Sequence, residues 1–179
     1  LVARNGSTYN FLTNEERDIG REIKSQTIPS GSEERELGKM IFEDILDEMR
    51  KHVYLSTKKD FPFTRSCDDF VVGTRLEGSL EVSVCTPLSE KYSLLCEDEN
   101  ACLSTISDYG KVLVRLPEDA TLIVELHAYI KTQAYLQTKG TATLPDATKR
   151  ILADKADENR TRRKRIVTTL EDLLSNSSC

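Results

Sequence analysis

Tryptophan is absent from this 179-residue chain, and glycine (8), proline (5) and histidine (2) are scarce. So little glycine and proline excludes a collagen-like or low-complexity chain. The two histidines, His52 and His127, fall in no His-Glu-x-x-His or Cys/His spacing, so the zinc signatures are missing and a structural role is expected of each. No stretch approaches the roughly 18 consecutive apolar residues of a membrane span, and nothing near Leu1 has the charged-then-apolar pattern of a secretory leader. A phosphate-binding loop, Gly-x-x-x-x-Gly-Lys-Ser/Thr, is missing as well. Gly73 and Gly78 have its spacing, but Ser79 stands where the lysine would reach the terminal phosphate.

The cysteines, Cys67, Cys85, Cys96, Cys102 and Cys179, are odd in number and include no CxxC pair. That excludes an ordinary secreted disulfide framework and predicts reduced thiols in a cytoplasmic protein. Cys85 and Cys96 are placed on predicted strands and are read as small buried side chains, since no base or cation beside them is advertised to activate a thiolate. The chain starts at Leu1 and is expected to be a piece of a longer soluble protein.

What is present is enough to fold. Hydrophobic residues make up 38% and charged residues 31%, a globular balance, and the length allows one sizeable core or two small ones. A net charge of −5 argues against the whole surface being a nucleic-acid platform.

Thr13-Asn14-Glu15-Glu16 spells a capping box, which starts a helix carrying Ile19 and Ile23 on one stripe. Ser32 can cap a second helix, with Leu37, Met40, Ile41, Ile45, Leu46 and Met49 at the 3.6-residue period and an acidic opposite face. From His52 to Leu116 the period changes to two: Leu80, Val82 and Val84 alternate with Glu81, Ser83 and Cys85, Phe70-Val71-Val72 precedes a turn at Glu77-Gly78, and Val112 to Leu116 reads as a further strand. Between Glu97 and Ser107 a short polar segment interrupts the strands. Glu118-Asp119 opens a helix to about Gln137 with Leu122, Ile123, Leu126, Tyr129, Ile130 and Ala134 on its apolar face. A loop from Thr138 to Leu144 leads to Pro145-Asp146, where the last and longest helix begins.

The expected fold is α+β: a central, mostly antiparallel sheet flanked by helices, with a long C-terminal helix. The segments are 1–50 (helical), 51–138 (sheet with packed helix) and 139–179 (loop and long helix), forming one domain with a helical arm. Because the arm is polar from Lys155 to Arg165, it should project into solvent or lie against a partner.

The sharpest charge feature lies on that arm: Arg160, Arg162, Arg163, Lys164 and Arg165. Such density can neutralise nucleic-acid phosphates, bind a protein partner, pair with the acidic second helix, or be a solvated helix face. The cluster spreads around the helix and no aromatics interleave to stack on bases. Carboxylate pairs are too numerous for any one to stand out as an acid and base. No catalytic, cofactor or metal site is assigned.

Three passages carry a family resemblance: Tyr9 through Ile23 (YNFLTNEERDIGREI), Arg115-Leu116-Pro117-Glu118-Asp119 leading to Tyr129-Ile130-Lys131-Thr132, and Arg150 through Arg160 (RILADKADENR). Together they resemble the region that follows the nucleotide-binding core in BrxC-like P-loop ATPases of bacteriophage exclusion (BREX) systems. The resemblance implies a cytoplasmic antiphage defence protein whose parent binds and hydrolyses ATP, while this segment, lacking the Walker motifs, needs no cofactor and is not itself the enzyme. It also implies partners among other BREX proteins or the rest of the parent chain, with DNA as the alternative and no membrane. The functional expectation is a non-catalytic interaction or coupling segment. A nucleic-acid-binding module using the basic helix is the alternative.

Overall fold

In the computed structural model, residues 2–5, 8–11, 13–47, 49–76, 80–97, 110–140 and 144–177 are described, and they group into two compact units. One holds residues 1–30 and 124–164, the other residues 31–123 and 165–179.

The helical unit begins with a strand pair that the sequence reading did not anticipate: β1 (Val2–Asn5) runs antiparallel to β2 (Thr8–Phe11), with Val2 opposite Phe11 and Asn5 opposite Thr8. The capping box then forms as expected at the start of α1 (Asn14–Lys24). The Thr13 amide donates to the Glu16 carboxylate at 2.7 Å, and the Glu16 amide donates back to the Thr13 hydroxyl at 3.2 Å. The Thr13 amide, and after it the Thr13 hydroxyl, which also donates to the Glu16 carboxylate at 2.9 Å, hold Glu16 below its usual pKa.

Ile19 and Ile23, four residues apart, are buried beside Tyr135 with Ile151 and Leu152 against them. Tyr135 belongs to α4 (Ala120–Lys139), and Ile151 and Leu152 to α5 (Asp146–Ser175). Asp119 caps α4 by accepting from the Leu122 amide at 2.7 Å.

In the sheet unit, α2 (Ser32–Lys39) is preceded by Gly31 at the capping position with φ of 77°, so Ser32 is the first helical residue rather than the cap. The helix then widens into a π-helical stretch, Met40–Ile45. Leu37, Met40 and Ile41 are fully buried as the 3.6-residue period requires, and Phe42, inside the widened turn, is fully buried as well. Met49, counted on the apolar face, is exposed. A Cβ at Gly38 would lie 2.8 Å from the Val72 side chain and 3.1 Å from the Cys67 Cβ, so the missing side chain lets α2 lie directly on the strands.

Among the described residues the sheet has five strands: β3 (Lys51–Tyr54), β4 (Lys59–Cys67), β5 (Phe70–Val71), β6 (Leu80–Cys85) and β7 (Lys111–Arg115), with α3 (Tyr92–Glu97) between the last two. The expectation of a mostly antiparallel sheet is corrected here. β3 and β5 pair antiparallel with β4, but β4 and β6 are parallel, as are β6 and β7. Alternation of side chains is the same in either direction, so only the connections decide, and residues 68–79 and 86–110 are long enough for the crossovers that parallel pairs require. The last three residues of β6, Ser83 to Cys85, are buried on both faces, as parallel sheets demand.

The tight turn sits at Asp68-Asp69, both with positive φ (46° and 70°), joining β4 to β5. The turn expected at Glu77-Gly78 and most of the polar segment expected after Glu97 lie outside the described residues. Among the described residues no helix is long and apolar enough to cross a membrane.

Candidate functional site

In the sheet unit, the ends of the parallel strands gather Asp68, Asp69, Thr86 and Lys91, a place where α/β sheets often bind ligands. Here the polar groups are consumed by one another. Asp68 accepts from the Thr86 amide at 2.7 Å and from its hydroxyl at 2.5 Å, and Lys91 pairs with Asp69 at 2.7 Å. Burial pushes Asp68 up in pKa despite those bonds.

The thiols nearby are inert. Burial, followed by the charge of Asp68, raises Cys67 well above the ordinary range, and burial lifts Cys85 to about 11. Cys85 is buried as expected. Cys96, expected on a strand, is exposed on α3. His52 and His127 are exposed and belong to different units, and no His/Cys/Asp/Glu cluster suited to a metal occurs among the described residues.

A second feature of the sheet unit is exposure rather than chemistry. Every residue from Met49 to Pro62, which includes β3 and the first four residues of β4, is solvent-exposed. Met49, Val53, Tyr54, Leu55 and Phe61 all lie there, Leu55 with 87% of its surface open.

Of the five basic residues expected to act together, the four in the helical unit do not form one surface. Residues two apart on a helix point about 200° from each other. Arg160 and Arg163 accordingly line one groove, with Tyr129, Gln133 and Gln137, whereas Arg162 lines another. Lys164 and Arg165 are exposed and line neither groove, and Arg165 belongs to the other unit. Several of these charges have partners close at hand. Arg160 pairs with Asp157 at 3.0 Å. Arg162 donates to the Asn159 side chain at 2.8 Å and lies 3.7 Å from Glu125 on α4.

One face of the polar middle of α5 packs within the helical unit through Asn159 and Arg162, while residues 157, 158, 160, 161 and 164 stay exposed. Asn159 is buried and donates to the Tyr129 carbonyl at 3.1 Å. A buried amide with a matched acceptor replaces the apolar contact that the periodicity seemed to lack.

The groove lined by Arg162 is about 440 Å³ and brings together what the sequence scattered. α1 contributes Gly20, Ile23 and Lys24, α4 contributes Val124, His127, Ala128, Lys131 and Thr132, and α5 contributes Lys155, Glu158 and Arg162. Lys24, Lys131 and Lys155 were not singled out from the sequence, because they come from three different helices, each of which carries other cations as well. The only trace was Lys155 and Arg162 seven residues apart, two turns along one face.

No solved structure matches the chain. A family model does: the BREX ATP-binding protein BrxC fourth domain, with six-stranded beta sheet, matches residues 26–179. That span includes two of the three resembling passages, while Tyr9 to Ile23 precedes it. The chain therefore belongs to the family of BrxC fourth domains of the BREX antiphage system.

Proposed function

We propose that this chain is a non-catalytic interaction and coupling segment of a BREX defence ATPase, working in the cytoplasm against other BREX proteins or the rest of its parent. ATP chemistry belongs to the parent's nucleotide-binding domain in this reading, and no catalytic residue or cofactor is assigned here. The observation that carries it is the Met49–Pro62 hairpin, exposed throughout while bearing Met49, Val53, Tyr54, Leu55 and Phe61. A two-stranded hairpin without cover is marginal in water, and clustered exposed apolar side chains mark contact surfaces.

The test replaces Tyr54, Leu55 and Phe61 together by serine in the parent protein. Thermal unfolding of the chain should stay nearly unchanged, because these side chains are open to solvent already. Co-purification with other BREX proteins and plaque protection in a strain carrying the system should both fall sharply. Unchanged association and protection would reject the hairpin as the contact.

A second reading, nucleic-acid contact, is supported by the exposed Arg160, Lys164 and Arg165. Its measurement is a salt titration of duplex and single-stranded DNA binding with the Arg160→Glu, Lys164→Glu variant alongside. Binding that weakens steeply with salt and disappears in the variant supports it.

A further inference from the structure

The groove between α1, α4 and α5 has an apolar middle and cationic ends. Glu125 and Arg162 pair near Val124, while the Lys131 ammonium donates to the Lys24 carbonyl at 2.8 Å, placing the end of α1 beside that turn of α4. Lys155 lies seven residues before Arg162, so the cations of α5 are about 10 Å apart along the helix, at ~1.5 Å per residue. The apolar lining is Ile23, Ala128 and Val124, the last 67% exposed and next to Glu125 at the Arg162 end. A Cβ built on Gly20 meets nothing within 4 Å, so α1 is bare where it borders the cleft.

The charge balance is positive: Lys24, Lys131, Lys155 and Arg162 against Glu158 in the lining and Glu125 beside Arg162. The ion pairs inside the unit are open to exchange. Lys155 and Glu158, 2.8 Å apart, retain 24% and 42% of their side-chain surface, and the Nε of Arg162 is buried without a hydrogen bond.

We infer that this groove docks an acidic amphipathic segment of a protein partner, its apolar side chains on Ile23, Ala128 and Val124 and its carboxylates on the lysines and Arg162. Charge complementarity selects an anionic occupant. The apolar middle and the lack of any Phe, Tyr or Trp in the lining favour a peptide over a nucleic acid, whose bases need aromatic faces to stack on. Two cationic ends some two turns apart match carboxylates at i and i+7 of a helix laid in the groove, a recurring recognition mode. The inference rests on the interaction-segment reading but uses a different surface from the hairpin, so the two fail separately.

The experiment is a site-resolved NMR titration of the isotope-labelled 179-residue chain with three probes. These are a helical peptide bearing Leu at i, i+3, i+4 and i+7 with Glu elsewhere, a Glu/Ser peptide of equal charge, and a single-stranded DNA 20-mer. The Gly20→Leu variant is titrated in parallel. It fills the bare strip of α1 without removing a charge and replaces a poor helix former with a good one, so the fold should be kept or strengthened.

The Glu/Leu peptide should shift the amides of Gly20, Lys24, His127, Lys131 and Lys155, bind at least tenfold more tightly than the Glu/Ser peptide, and lose at least tenfold in affinity on Gly20→Leu. Three results would overturn the inference: no shifts at these amides, equal binding of the two peptides, or DNA binding tighter than the Glu/Leu peptide and indifferent to Gly20→Leu. The hairpin substitutions should leave this titration unchanged, whichever way their own test turns out.

Discussion

The two units of this chain are held together by different chemistry. The sheet unit buries Leu37, Met40, Ile41 and Phe42 completely, with Leu116, Ile166 and Leu170 also closed to solvent, and relies on apolar burial. The helical unit has a small apolar cluster around Ile19, Ile23 and Tyr135 and a fully buried Leu126, and adds directed polar bonds between its helices: Tyr135 to Glu22, Asn159 to Tyr129, Lys131 to Lys24. Apolar burial is non-directional and insensitive to pH, whereas polar seams depend on geometry and charge. The helical unit is therefore where surface charge remains close to the packing, and where a charged partner can compete with internal pairs.

The largest effect should come from the apolar side. Phe42→Ala removes a fully buried ring from the π-helical turn and should cost about 3–5 kcal/mol, read as a lower urea midpoint. A loss below about 1.5 kcal/mol would mean that the π-turn, and with it the sheet unit's core, is not packed as described.

Next comes a buried polar contact of the sheet unit. Asp68→Ala leaves the Thr86 amide and hydroxyl without their acceptor in a buried place and should cost about 2–3 kcal/mol. Asp68→Asn, which keeps one acceptor, should recover part of that.

The seam between α1 and α4 in the helical unit should respond less, and with pH. Tyr135→Phe deletes the hydroxyl that donates to Glu22 at 2.9 Å, for a loss of about 1 kcal/mol near neutral pH. The Tyr135 hydroxyl bond, then Lys139, holds Glu22 below its ordinary value of 4.5, and burial followed by Glu22 lifts Tyr135 to about 12. For a carboxylate with a depressed folded pKa, the stabilisation is present above 4.5 and disappears as the pH falls through the folded value. The difference between wild type and Tyr135→Phe should thus shrink in unfolding curves between pH 6 and pH 3, whereas the Phe42→Ala difference should hold. If both shrank alike, the contrast between the units would fail.

Local signals were legible in the sequence where a single stretch of chain contains the whole interaction. Thr13 and Glu16 are three residues apart and cap each other, Pro145-Asp146 opens α5, and Leu80 to Cys85 alternates as a strand should. What could not be read depends on pairs far apart. Parallel pairing of β4 with β6 leaves the same alternation as antiparallel pairing. Phe42 is fully buried in a turn where the helix widens after Lys39, which no 3.6-residue period anticipates. Asn159 looked like part of a solvated stretch because its partner is a main-chain carbonyl thirty residues away. The basic cluster was visible as density, but its division into opposite faces removes the single surface that density suggested. The groove cations come from three helices, so no spacing along the chain announces them.

The smallest effect tests that division directly. Arg160 pairs with Asp157 one turn away, at 3.0 Å, with both side chains about 70% exposed. Such a pair is screened by water and salt and pays for its geometry in side-chain entropy, so Arg160→Ala should change stability by no more than about 0.5 kcal/mol. Arg162→Ala, two residues on, removes a half-buried guanidinium that holds Asn159 and faces Glu125, and should cost about 1–2 kcal/mol. Denaturant unfolding of the two variants side by side measures the difference between the faces of one helix. Equal losses would mean that Arg160 is as much a part of the packing as Arg162, and the exposed face of α5 would no longer be a surface whose charges are free to meet a partner at little cost to the fold.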